Sequence, residues 1–171
     1  AVLEGADYRT ALEEYHRAIG NVVVRPEAAA GHTCWLLVSN PVNADIVRRR
    51  GVWGNNKARP IGQMSPGDPV ILYIRGEKRI AAWGLVGGAP YEDHNLIWPD
   101  GVYPYRIPVT FLGVPQVSVP MKPLVPRLRF IRPDVGTAWG TYLQTSQRTI
   151  PSEDFVVLRD AIDGARLPSS N

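Results

Sequence analysis

Apolar residues recur at spacings of three and four from Tyr8 to Ile19, at Tyr8, Ala11, Leu12, Tyr15 and Ile19. Glu13 and Glu14 fall on the other face and Gly20 offers a stop, so the pattern predicts an amphipathic helix. Asn21 to Gly31 carries Pro26 and a run of Ala and reads as a linker. Residues 1–31 are therefore expected to form a helical arm and linker, 32–163 the main domain and 164–171 a frayed tail. In the main domain the period changes. Cys34 to Val38 is an unbroken apolar run of strand length, ended by Ser39-Asn40-Pro41. Asn40 can cap a helix whose first turn accepts Pro41, which predicts a short helix over Val42 to Arg50, stopped by Gly51.

Turn chemistry follows at Gly54-Asn55-Asn56 and again at Ser65-Pro66-Gly67-Asp68. Pro69 to Arg75 and Arg79 to Gly87 read as two strands of a hairpin through Gly76-Glu77-Lys78. Ala89 to Gly101 is a long mixed loop, and Tyr105 to Leu112 is a strand. Met121 to Phe130 is broken by proline and only partly helical. Ala138 to Leu143 is expected as the last strand, and Ser152 as the cap of a helix over Glu153 to Ile162. No internal repeat and no β-α-β alternation is visible. The predicted class is α+β: a small curved sheet or partly open barrel of about five to six strands with flanking helices.

Composition narrows the function more than the fold. Hydrophobic residues are 44% and charged residues 20%, which excludes wholesale disorder. A single cysteine, Cys34, excludes a disulfide framework within the chain and a Cys-rich zinc site. Apolar runs are too short to span a bilayer, and no basic-then-apolar segment opens the chain, so a cytoplasmic protein without a membrane partner is expected. Of the 19 basic residues 16 are Arg, in a chain of net charge +3. Arg binds phosphate in bidentate fashion and stacks on bases; an Arg-rich balance also follows from genomic composition. It permits a polyanion partner without demanding one.

The candidate chemistry is thin on the catalytic side. His16, His32 and His94 lie in different elements without metal-ligand spacing, and neither a nucleophile elbow nor a phosphate loop is present. No metal or cofactor is expected. Cys34 opens an apolar strand and reads as a core residue. Trp35 and Trp83 sit in apolar strands and read most simply as core. Trp53 differs. It follows a helix ending in Arg48-Arg49-Arg50 and precedes Gly54-Asn55-Asn56-Lys57 and Arg59. An aromatic in a Gly/Asn loop among basic groups has the ingredients of a base-stacking site; it can equally plug one end of the core. The arginine run can hold phosphates or simply suit a helix C-terminus. A different class stays open too: a small enzyme or binding protein for a nucleotide-like small molecule, with Glu92, Asp93 and His94 beside the same site.

The ordered set of local signatures resembles an EVE domain. It comprises Cys34-Trp35-Leu36-Leu37-Val38-Ser39-Asn40-Pro41, Arg50-Gly51-Val52-Trp53-Gly54, and Pro66-Gly67-Asp68 leading into Val70 to Lys78. Pro90 to Asp93, Tyr103 to Ile107, Leu128 to Ile131, Trp139-Gly140 and Pro151 to Phe155 continue it, collinear from about residue 33 to about 160. The resemblance implies the PUA-like superfamily, a curved β-barrel with flanking helices, and kinship with the YTH domains that read N6-methyladenine in RNA. It implies a non-catalytic module that captures one modified, methylated base of RNA or DNA. By that likeness Trp53 is one wall of an aromatic cage, Ser39 and Asn40 are polar contacts at the strand end, Gly54 supplies a backbone contact, and Asn43 meets a ring nitrogen. No aromatic stands at Val109, where the second cage wall of YTH domains falls. That wall is assigned to Tyr105, with Trp83, Tyr103 and Phe111 as alternatives. Arg48, Arg49, Lys57 and Arg59 would hold phosphates, and the N-terminal helix could engage a protein partner.

Overall fold

The computed structural model describes residues 31–165. The helix expected over residues 8–19, most of the linker behind it and the chain after residue 165 lie outside the described residues. The elements run β1 (Cys34–Ser39), α1 (Pro41–Arg50), β2 (Val52–Asn55), α2 (Ala58–Gly62), β3 (Pro69–Ile74), β4 (Arg79–Val86), β5 (Tyr91–Glu92) and β6 (Tyr105–Gly113). After β7 (Val119–Pro120) come 3-10 segments at Lys122–Arg127 and Pro133–Leu143, then β8 (Gln147–Ile150) and α3 (Ser152–Gly164).

The strands form one curled sheet in the order β2-β6-β4-β3-β1-β8, with β5 added to β6 and β7 to β4. β1 and β3 are parallel, Trp35 to Ser39 aligned with Val70 to Ile74. The other pairs are antiparallel. The curl brings the two ends of the sheet within side-chain reach. Trp53 on β2 donates its indole N–H to Gln147 Oε1 on β8 at 2.9 Å, and Asn55 Nδ2 donates to Ser146 Oγ at 3.1 Å.

Both faces of β1 are buried, which is why it reads as a continuous apolar run rather than an alternation. Cys34, Leu36 and Val38 pack with Trp83, Phe155, Leu158 and Ile162 in an outer core beneath α3. Trp35 and Leu37 point the other way, into an inner core with Val70, Leu72, Ile107, Val109, Trp53 and Trp98. Ser39 shares the inner parity, so the end of β1 presents a hydroxyl on the concave side. Burial first, and then the nearby Asp68 charge, pushes the Cys34 thiol up to about 11. It therefore stays protonated at neutral pH and behaves as a small apolar core residue, as expected. Asp68 itself is buried but well partnered, accepting from Trp35 Nε1 at 3.0 Å, Ser65 N at 2.9 Å and Thr33 N at 3.2 Å.

Several predicted elements change. The strand expected over 138–143 is part of the 3-10 segment Pro133–Leu143; Trp139 and Leu143 are buried but Thr141 between them is exposed, which the alternation of a half-buried strand would not give. The last strand is instead β8, Gln-Arg-Thr-Ile, an edge strand with only Ile150 buried and so without an apolar run. The turn expected at Gly54-Asn55-Asn56 is partly β2, whose four residues are all buried against β6. Ser152 is the first residue of α3 rather than its cap, a position taken by Pro151, and Gly164 closes that helix rather than opening the tail. Among the described residues no helix is long and apolar enough to cross a membrane.

Candidate functional site

At the C-terminal ends of the parallel strands β1 and β3 the curled sheet leaves a cavity of about 280 Å³. That is near the lower end, about 300 Å³, of small-ligand sites. Three aromatic side chains line it: Trp53 from β2, Trp98 from the loop before β6, and Tyr103 at the end of that loop. Trp98 and Tyr103 meet edge to face, 5.4 Å between centroids at 82°. Gly54 lies against both, because a Cβ there would stand 2.7 Å from Trp98 Cη2 and 2.9 Å from Tyr103 Cβ. Only glycine lets the two rings sit this close to β2.

The polar side of the cavity is built at the start of α1. Asn40 caps the helix, its Oδ1 accepting from Asn43 N at 2.9 Å, while Gly51 (φ 64°) ends it in the left-handed region. One turn apart, Asn43 and Val47 face the cavity. Asp100 crosses to this wall from the loop. It accepts from Asn43 Nδ2 at 2.8 Å, from Asn40 Nδ2 at 3.3 Å and from the Tyr103 hydroxyl at 3.1 Å. The Asn43 amide above all, joined by the Tyr103 hydroxyl and Asn40, holds the Asp100 carboxyl below the usual carboxylate range; burial opposes it, less than Asn43 lowers it but more than either of the others. Burial, then the hydrogen bond and charge of Asp100, push the Tyr103 phenol above its ordinary value. At neutral pH the pair is a carboxylate accepting from a neutral phenol.

Tyr103 has a positive φ of 46°, unusual for a residue with a large side chain. Arg106 holds the backbone there. Its buried guanidinium donates to the carbonyls of Tyr103 (3.1 Å), Val102 (2.9 Å) and Asn95, pairs with Asp93 at 3.3 Å and stacks 5.2 Å from the Trp98 ring. On the opposite side Gln147 joins Trp53 Nε1 to the Pro60 carbonyl. Lys57 and Arg75 also line the cavity and bring positive charge.

The structure gathers five of the expected base-site residues around this cavity: Ser39, Asn40, Asn43, Trp53 and Gly54. It separates two others. Trp83 lies in the outer core, edge to face with Phe155 at 6.1 Å, its indole N–H donated to Asp163 at 2.8 Å. Tyr105 pairs with Asn55 across β2 and β6 and packs with the inner core outside the cavity. The other aromatic side chains at the cavity are Trp98 and Tyr103, in and just after a loop whose sequence has no periodicity to single them out. Of the expected phosphate contacts, only Lys57 reaches the cavity. Arg48 and Arg49 both pair with Asp45, at 2.7 and 2.8 Å, and Arg48 faces a separate cleft on the far side of α1. Arg59 is exposed on α2. Arg75 was missed because it reads as the end of a strand. His94 and Glu92 form an exposed pair at 2.9 Å away from the cavity, and Asp93 pairs with Arg106, so the alternative enzyme cluster is not assembled there. Among the described residues no three His, Cys, Asp or Glu side chains group at metal-binding distance.

The family model of the EVE domain matches residues 33–161. The chain belongs to the EVE domain family. Among its relatives, a UPF0310 protein of Pyrococcus abyssi is 27% identical over 143 residues, covering 75% of this chain and 98% of that protein. A UPF0310 protein of Pyrococcus horikoshii is 26% identical over a similar span, 74% and 96% of the two chains. Among solved structures, the YTH domain-containing protein Mmi1 in complex with RNA matches this EVE domain with a TM-score of 0.59 at 9% identity, covering 78% of this chain and 83% of that one. At that identity the likeness concerns the fold. The curled sheet with its few helices is thus the EVE and YTH architecture expected from the sequence.

Proposed function

We propose that this EVE domain is a non-catalytic nucleic-acid-binding module that takes a single methylated base of RNA or DNA into the cavity between Trp53, Trp98 and Tyr103. The observation that carries the reading is the cavity itself: aromatic walls, an amide wall at Asn40 and Asn43, and the cations Lys57 and Arg75 at one small opening in the sheet. The fold likeness to a YTH domain solved with RNA supports it. In this reading Ser39 and the Gly54 backbone contact the base, and Lys57 and Arg75 hold its flanking phosphates, with Arg59 beyond them. Arg48 and Arg49 are already paired with Asp45 and contribute less.

The physics suits a reader. Burying a methyl group gains about 0.8 kcal/mol and stacking a base about 1–3 kcal/mol. Only the methyl contribution and any improved stacking separate a modified base from a plain one, so discrimination of about ten-fold is expected. No bond is broken and no general base is required. Single-stranded or looped nucleic acid avoids the few kcal/mol needed to flip a base from a duplex.

The test is the affinity of short RNA and DNA strands, plain or carrying 5-methylcytosine or N6-methyladenine, read by Trp fluorescence at two salt concentrations. About ten-fold preference for one methylated base, lost in Tyr103→Ala, is expected. Salt should weaken all strands alike. Weak binding without base preference, unchanged in Tyr103→Ala and abolished by salt, contradicts the reading and leaves only a basic surface.

A further inference from the structure

Asp100 determines which end of the Asn43 amide is available to an occupant of the cavity. Its carboxylate can only accept, so the Asn43 amide, held to it at 2.8 Å, must present nitrogen to Asp100 and turn Oδ1 away. The neighbouring Asn40 Oδ1 is occupied as the cap of α1. Asn43 Oδ1 is not. Asn43 is only 6% exposed, it lines the cavity, and its Oδ1 is buried without a hydrogen-bond partner among the described residues. A buried acceptor left unpaired is costly, and native proteins keep few of them. An occupant that brings an N–H to this wall removes that cost; one that brings a second acceptor adds repulsion to it.

We propose that Asp100 is a specificity-determining residue: by holding the Asn43 amide through its nitrogen, it makes the cavity select bases that keep an N–H on their pairing edge and reject bases whose pairing-edge N–H has been replaced by alkyl groups. The inference rests on the base-capturing function proposed above and narrows its ligand class. Carbon-methylated pyrimidines and singly methylated exocyclic amines retain the required N–H. N,N-dimethylated amines and N3-methylated uracil do not.

The experiment compares matched single strands, 5-methylcytosine against N4,N4-dimethylcytosine and uracil against N3-methyluracil, with an abasic strand as reference. Wild type, Asp100→Ala and Asp100→Asn are each titrated. Wild type is expected to bind the N–H-bearing member of the preferred pair about ten-fold more tightly than its blocked partner. In Asp100→Ala the Asn43 amide can turn over, and in Asp100→Asn the new amide can itself donate to Oδ1. Both are expected to bring the ratio within about two-fold. Asp100 is exposed, and melting of both variants near the wild-type temperature checks that the fold is kept. Equal binding of free and blocked bases by wild type overturns the inference. So does rejection that persists undiminished in the Asp100 variants, which makes it steric. If the abasic strand binds as well as every other, base capture itself fails.

Discussion

Replacing Arg106 with methionine is expected to destabilise the protein by about 3 kcal/mol and to abolish base capture. Methionine fills much of the volume but donates nothing. The carbonyls of Asn95, Val102 and Tyr103 lose their donor, Asp93 loses its partner, and the Trp98 face loses its cation. Asp93 is partly solvated and can recover some of its loss in water, which keeps the expected cost below that of a fully buried broken pair. In a domain of this size the loss lowers Tm by on the order of 10 °C. The functional part follows from position. Arg106 anchors the loop that carries Trp98, Asp100 and Tyr103, so two aromatic side chains of the cavity and the carboxylate that holds its amide wall move when it goes. A melt within about 2 °C of wild type, with base preference intact, contradicts this role.

Gly54→Ala is the second large effect, and it separates packing from backbone freedom. The added Cβ would lie 2.7 and 2.9 Å from Trp98 Cη2 and Cζ3 and 2.9 Å from Tyr103 Cβ. Both walls must shift together, at an overpacking cost of about 1–3 kcal/mol. Stacking on those walls is worth about 1–3 kcal/mol, so base affinity is expected to fall ten-fold or more, on the order of the whole stacking contribution. Gly62→Ala is the control, because a Cβ there meets nothing within 4 Å. Thermal melts and oligonucleotide titrations of both variants check the pair. Equal affinity of the Gly54→Ala protein and its control would mean that the cavity walls do not bind the ligand.

The elements that were legible in the sequence are those whose local chemistry agrees with their tertiary role. The capped helix α1 is one: Asn40, Pro41 and Gly51 act in the structure as their side chains and backbone preferences predict. The hairpin β3–β4 is another, with buried residues through both strands and a turn at Gly76 with φ 89°. Elements decided by distant partners were not legible. β8 is a polar edge strand whose place is set by pairing with β1, and β2 is a four-residue strand whose Gly and Asn signal a turn until β6 lies beside it. The site divides the same way. Ser39, Asn40 and Asn43 follow from the strand–cap–helix sequence, whereas Trp98, Asp100 and Tyr103 depend on a loop that buried Arg106 shapes from a later strand. Trp83 shows the converse: an aromatic in an apolar strand faces one of two cores, and only the packing of α3 decides which.

The most direct measurement is nuclear magnetic resonance of the five tryptophan indole N–H groups during titration with a single strand carrying the preferred methylated base, and with the same strand made abasic at that position. Trp35 and Trp83 are tied to Asp68 and Asp163 away from the cavity, and Trp139 lies in the outer core, so these three signals should stay in place. Trp53 and Trp98 line the cavity and should move. The account predicts large shifts of those two with the base-bearing strand and almost none with the abasic strand. Shifts of the same size with both strands, or confined to Trp139, would contradict capture of a base between these walls.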